Sequence, residues 1–488
     1  MPFSTRIEPA ELTFSHFYVI TMMHGMAHQK RKDFTLNTTE FKHYMQRGLG
    51  RCYLELQNCD NTEKYRKTVL WGCLHLISFD TQCEGTRAAY LYRLISFFPD
   101  REYFARKIAE KYRGISGRDK WFFQQLTELL SFFSDDGSQT AKDALAEKYQ
   151  ILYSALLIKK SFKGYDFCRD NFEFLSIVFL NQCRESIPEK LIADFGNLFM
   201  KNRHYNFDWH FSWFTDCLEE SVGKNRLLRE LKKRRNIPEW KSFYDSYMKW
   251  EEEKLRSNAS VKENISTAEE LSHVLKTKGK ITPFQAIAFS RDADEAEKKK
   301  LAGLIEAEEN PGEKAEMLKA MWVWRENYPG DHQKLIGYAE SDCKELADNA
   351  EKVLVNCQSE TVYRYAKEKL LRYECDKKAI EILLSNYRAE DKDLILPALS
   401  ELSIDYDEKS GWHDIVGHIL DVGDLGICLP REFFEWIYEK SLCSWCRESA
   451  VRYMGKRRWL SQDVINECLY DCNDDIVMYA ERKRKQGK

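Results

Sequence analysis

Residues 341–370, SDCKELADNAEKVLVNCQSETVYRYAKEKL, carry one short pattern twice. Leu346, Ala350 and Leu354 stand four residues apart, and so do Val362, Ala366 and Leu370. Steps of four keep side chains on one face of a helix with 3.6 residues per turn, so each trio reads as the inward stripe of an amphipathic helix. A small Ala at the centre of that stripe lets a neighbouring helix approach closely, where a bulkier side chain would hold it away. Ser341-Asp342 and Ser359-Glu360 precede the trios, hydroxyl and acidic residues of the kind that cap a helix start and favour its positive end.

The same spacing recurs outward from this stretch. Cys446, Ala450 and Met454 repeat it, and Ile476 with Ala480, preceded by Asp474-Asp475, begins it again 30 residues after Cys446. Earlier in the chain, Val69, Cys73, Leu76 and Ile77 form one apolar stripe, and Ala88, Leu91, Leu94, Ile95 and Phe98 form another. The run from Asp80 to Gly85 between them reads as a turn, so the pair is a helical hairpin. No sustained two-residue alternation appears, and the isolated Asp136-Gly137 sits between helical patterns. With 22 Gly and 10 Pro in 488 residues, turn-making residues fall well below the average of about 12%. The fold class expected is all-α, an α-helical solenoid or superhelical array of hairpins. Hydrophobic residues at 43% and charged residues at 31% exclude a disordered or collagenous polymer.

The Ala-centred hairpins, one about every 30 residues, resemble HEAT-like repeat arrays of the short bacterial type, most clearly over residues 290–485. That resemblance implies stacked hairpins with a concave surface that holds a partner. Residues 374–440 depart from it, with Pro397, Gly411, Gly417, Gly423 and Gly426 disturbing the register. Some proteins of this kind are di-iron hydroxylases that bind metal through His-Glu dipeptides; this chain has no such dipeptide. Others are alkylpurine DNA glycosylases, which use Trp, Tyr and Asp in a basic groove.

Charge divides the chain: +7 over residues 1–250 and −10 over 251–488. Aromatic residues crowd the first half. The division predicts an aromatic-rich, net-basic helical domain at 1–256, a charged linker and helix at 257–290, and a net-acidic repeat domain at 291–488. Ser266 and Glu269, three apart, read as a capping box opening the second helical region. The opening residues lack a basic, apolar and small-residue leader pattern. No run of about 18 apolar residues occurs. The 15 Cys are an odd, scattered set suited to a reducing compartment. A cytoplasmic location without membrane contact is expected.

Four constellations carry possible chemistry. Trp71, His75, Asp80, Cys83, Glu84 and Arg87 cluster in and around the first hairpin turn. They suit partner binding, a Cys-His or Asp-Glu catalytic pair, or simple capping and ion pairing of the turn. Trp209 and Trp213, with Asp208 and Asp216 nearby, precede the basic strip KNRLLRELKKRR from Lys224 to Arg235, which includes Lys232, Lys233, Arg234 and Arg235. Aromatic residues beside cations suit stacking on bases and contact with phosphates. Cys443 and Cys446, with Cys468 and Cys472, form two pairs that antiparallel helices would turn into a four-thiolate zinc centre, or that simply stand in for Ala at helix contacts. His24 and His28 share a helix face but have no third or fourth ligand at metal-site spacing. No glycine-rich phosphate loop, dinucleotide fingerprint or nucleophile elbow is present. The expectation is a scaffold or adaptor without catalysis or cofactor that binds a protein or peptide. The alternative is a nucleic-acid-binding protein, of the DNA-repair glycosylase type, using residues 204–235.

Overall fold

The computed structural model describes residues 36–115, 119–158, 164–183, 186–202, 209–256, 265–322, 327–373, 375–404, 406 and 411–486. His24, His28 and Asp208 lie outside the described residues. Among those described the secondary structure is helical throughout, with 27 α-helices and no strand. No helix is long and apolar enough to cross a membrane.

The chain divides into two compact units. The first holds the described residues up to Arg256, with 442–445 and 460–486; the second holds 265–441 and 446–459. Helices of the first unit are α1 (Thr38–Arg47), α2 (Arg51–Asn58), α3 (Arg66–Cys73), α4 (Thr81–Glu84), α5 (Ala88–Ile95), α6 (Arg101–Gly114), α7 (Lys120–Asp135), α8 (Gln139–Ile158), α9 (Tyr165–Gln182), α10 (Glu189–Lys201), α11 (Trp209–Val222), α12 (Lys224–Lys233) and α13 (Pro238–Arg256). The second unit comprises α14 (Ala268–Lys278), α15 (Pro283–Asp292), α16 (Glu295–Ala307), α17 (Pro311–Trp322), α18 (His332–Ala339), α19 (Lys344–Leu354), α20 (Glu360–Arg372), α21 (Lys377–Ser385), α22 (Lys392–Ser400), α23 (Trp412–Asp424) and α24 (Arg431–Lys440). Most of α25 (Ser444–Lys456) belongs there too, whereas α26 (Gln462–Cys468) and α27 (Asp474–Gln486) belong to the first unit.

Residues 460–486, which the sequence placed at the end of the net-acidic domain, therefore pack with the amino-terminal helices. The Cys472 amide donates to the Gly48 carbonyl at 2.8 Å, Arg93 Nη2 donates to the Asp471 carbonyl at 2.7 Å, and Arg51 pairs with Glu467 at 2.7 Å. Tyr53 stacks on Tyr470 with ring centres 4.2 Å apart. Two glycines make room for this return. Gly48 has φ +74°, a left-handed conformation that L side chains rarely adopt, and a Cβ there would lie 2.2 Å from Cys472 Sγ. A Cβ on Gly50 would lie 1.9 Å from the Glu467 carbonyl oxygen.

The rest of the first unit buries its aromatic wealth. Phe195 of α10 packs on Phe172 of α9, Phe211 and Phe214 of α11 and Phe243 of α13. All five rings are fully buried. Edge-to-face and tilted contacts of this kind add about 0.5–1.5 kcal/mol per pair beyond the area they bury.

In the second unit, alternate helices pack on one another: α15 on α17, α17 on α19, α19 on α21 and α21 on α23. Of the intervening helices, α14 packs on α16 and α18 on α20. Polar bonds link positions about one hairpin apart. Asn349 Nδ2 donates to the Ala315 carbonyl (3.0 Å), the Gln358 amide to Asn327 Oδ1 (3.1 Å), Ser385 Oγ to the Val355 carbonyl (2.5 Å) and Asn386 Nδ2 to the Cys357 carbonyl (2.8 Å). Each satisfies a backbone or side-chain group that helix stacking would otherwise leave without water. The central Ala residues of the sequence pattern, Ala350, Ala366 and Ala450, are fully buried, and Ala480 nearly so.

At α14 the capping box lies one residue further along than the spacing predicts. The capping box there is Thr267 with Glu270 rather than Ser266 with Glu269: Thr267 Oγ1 accepts from the Glu270 amide, and Glu270 accepts from the Thr267 amide. Glu269 instead pairs with Lys300. The glycine cluster at 411–426 does not interrupt the helices. Gly411 and Gly426 flank α23, and Gly423 within it lets Phe434 and Tyr453 approach.

Candidate functional site

The hairpin turn from Trp71 to Arg87 is built by its own side chains. Asp80 is the N-cap of α4, its carboxylate accepting from the Gln82 and Cys83 amides at 3.1 and 3.3 Å. Glu84 Oε1 reaches back to accept from the Phe79 and Asp80 amides at 2.7 and 2.8 Å. Its other oxygen accepts from the Ser444 amide at 3.1 Å and pairs with Arg87 Nη2 at 3.0 Å. Arg87 also donates to the Leu442 carbonyl at 2.6 Å and to the Gln46 carbonyl. The side chains of Glu84 and Arg87 are each 2% exposed, so neither is free to meet a partner. Burial raises the Glu84 carboxyl, but Arg87 and the amide donors outweigh it and hold the group below the ordinary carboxylate value. Of the readings open for this turn, capping and ion pairing account for Asp80, Glu84 and Arg87.

Trp71, His75 and Cys83 differ from them. The Trp71 ring is half-buried, stacked by His75 at 4.6 Å and capped by the Lys42 ammonium 3.7 Å above it. His75 is exposed; its Nδ1 lies 2.8 Å from the Trp71 carbonyl, and its own carbonyl accepts from Gln125 Nε2 at 2.9 Å. The Cys83 thiol is pushed up to about 12 by partial burial and the Asp80 carboxylate, which leaves it protonated and a poor nucleophile at neutral pH. Next along the chain from His75, Leu74 lines a groove of about 480 Å³ with Lys107, Glu110, Lys111, Gly114 and Ile115. No local pattern marks it, because Leu74 and residues 107–115 come together only in three dimensions.

The described aromatic side chains of 211–214 are buried or half-buried. Phe211 and Phe214 lie in the core, Trp213 packs half-buried against Phe174, and Asp216 is half-buried. The Trp209 side chain lies outside the described residues. Lys232 and Lys233 are exposed on α12. Arg234 pairs with Glu189 at 2.8 Å and lies over the Trp240 ring, while Arg235 lies over Tyr244 and 3.7 Å from Asp245. Leu227 and Leu231 bury the opposite face of α12, so this strip is the solvated side of an amphipathic helix.

All the described cysteines are free thiols. Cys443 and Cys468 are buried, and Cys446 and Cys472 half-buried. Cys472 faces Gly48, and Cys468 and Cys472 belong to no cluster of three or more metal-ligating side chains among the described residues. Cys446 instead meets His413 of α23, Sγ to Nε2 3.2 Å. A second His, His418, lies 2.9 Å from Ser385 Oγ, but that hydroxyl already donates to the Val355 carbonyl and so serves the stacking of helices.

Compared with known proteins, the chain matches no family model, no curated protein and no solved structure.

Proposed function

We propose that the chain is a helical-repeat binding protein, its second unit a stack of HEAT-like hairpins that holds a protein or peptide partner. The alternate packing of α15, α17, α19, α21 and α23, with side chains bonded to backbone about one hairpin away, carries this reading. An array of this kind gives each helix a neighbour on either side and leaves a continuous outer face for recognition. On α15, Phe284 is 81% exposed and Ile287, one turn on, 37%. An apolar pair on a half of the chain with charge −10 suits a peptide that offers an apolar side chain beside basic residues.

Selection from a displayed peptide library against the full chain tests this. Enriched peptides should combine apolar and basic residues, and Phe284→Glu with Ile287→Glu should weaken them tenfold or more while leaving the circular dichroism unchanged. No enrichment, or binders indifferent to both substitutions, overturns the reading. The nucleic-acid alternative rests on exposed cations of α12 such as Lys232 and Lys233, beside a half-buried Trp213. Salt-sensitive retention on single-stranded DNA would favour it.

A further inference from the structure

We propose that Cys446, paired with His413, is a reactive thiol and a site of covalent modification by hydroperoxides. Cys446 Sγ lies 3.2 Å from His413 Nε2, within reach for proton transfer between a nucleophile and its base. Both residues are half-buried. A helix start polarises the sulfur. Cys446 is the third residue of the 13-residue α25, where the positive end of the helix favours a thiolate.

The other cysteines set the contrast. Burial pushes the thiols of Cys217 and Cys357 up to about 12, and drives those of Cys52 and Cys73 higher still. These behave as small core hydrophobes. Cys446 holds an apolar position in the repeat pattern, yet faces an imidazole on the neighbouring helix.

The chemistry balances with a hydroperoxide, ROOH, as oxidant. The thiol proton passes to His413 Nε2, and the thiolate sulfur attacks the hydroxyl oxygen of the peroxide. An S–O bond forms and the O–O bond breaks. Sulfur loses two electrons and becomes a sulfenic acid, while the departing alkoxide takes the proton from the imidazolium and leaves as ROH.

Mass-spectrometric peptide mapping of the full chain tests the assignment. With limiting iodoacetamide at pH 7, Cys446 should be alkylated at least tenfold faster than the exposed Cys428, and His413→Ala and His413→Gln should each remove most of that advantage. His413→Gln keeps a polar side chain without a base of suitable pKa, so it separates proton transfer from packing; circular dichroism checks that both variants are folded. Tert-butyl hydroperoxide followed by dimedone should leave an adduct at Cys446 in the wild type and none in Cys446→Ser. Alkylation no faster than at Cys428, or rates unchanged in both His413 variants, overturns the proposal. Labelling of Cys446 that appears only after a chelator also overturns it, in favour of a metal ligand.

Discussion

Arg87 Nη2 lies 2.6 Å from the carbonyl oxygen of Leu442, 355 residues further along the chain. Its guanidinium also meets Glu84, whose carboxylate in turn accepts from the Ser444 amide. One buried ion pair thus joins the turn after α3 to residues 442–445 within the first unit.

Arg87→Ala should destabilise the protein by about 3–5 kcal/mol, since it leaves the Glu84 carboxylate buried without its counter-charge. Denaturant unfolding followed by circular dichroism checks this. Arg87→Lys should recover only part of the loss, because one ammonium does not reproduce the planar fork that spans Glu84 and two carbonyls. A change below about 0.5 kcal/mol for the Ala variant would show the pair to be dispensable.

The same pair predicts a pH dependence. The Glu84 carboxyl is held below its ordinary value in the folded state, so the folded form binds this proton less readily than the unfolded form. Its contribution is fully present above the unfolded carboxylate pKa of about 4.3 and is lost as pH falls through the lower folded value. Thermal unfolding should therefore show less acid destabilisation below about pH 4 in Glu84→Gln than in the wild type, each relative to its own stability at pH 7.

Gly50→Ala places a Cβ 1.9 Å from the Glu467 carbonyl, a backbone atom that no side-chain rotation relieves. A loss of about 1–3 kcal/mol is expected. Hydrogen exchange should quicken in residues 460–486, and unchanged protection there would separate the docking of this segment from Gly50.

Ala350→Leu and Ala366→Leu each insert a branched side chain where the native residue is fully buried. Each should cost about 1–3 kcal/mol by overpacking. Ala347→Leu, at a half-buried position on the same helix, is the control and should cost less in the same melts.

Lys232→Glu with Lys233→Glu should leave the low-salt retention of the protein on single-stranded DNA as weak as in the wild type. Strong wild-type retention that these changes abolish would instead mark α12 as a phosphate-contacting face.

Much was legible in the chain because helix patterns are local. Four-residue spacing identified Leu346, Ala350 and Leu354, and Val362, Ala366 and Leu370, as inward stripes, and all six residues are buried. Asp80 as a cap and Arg87 as half of an ion pair were also within reach, since their partners lie within a few residues. The exact capping residue of α14 was not, because Ser266, Thr267, Glu269 and Glu270 offer competing pairings that only the packing of Ala268 and Leu271 resolves.

Sequence by itself determined the helical class, the inward faces of helices such as α19 and α20 and the small residues at their contacts, since each follows from spacing along a few turns. Only the tertiary structure decided which surfaces remain open. Trp213 suits a base-stacking platform by its place in the sequence, but it packs half-buried against Phe174. Cys446 meets His413 rather than joining a four-cysteine set, and residues 460–486 return to Gly48 and Gly50. The physical reason is range. Periodicity reports how a residue faces its own helix, whereas burial, ion pairing and thiol environment depend on what lies across the contact, which in this chain is as much as 416 residues away for Arg51 and Glu467.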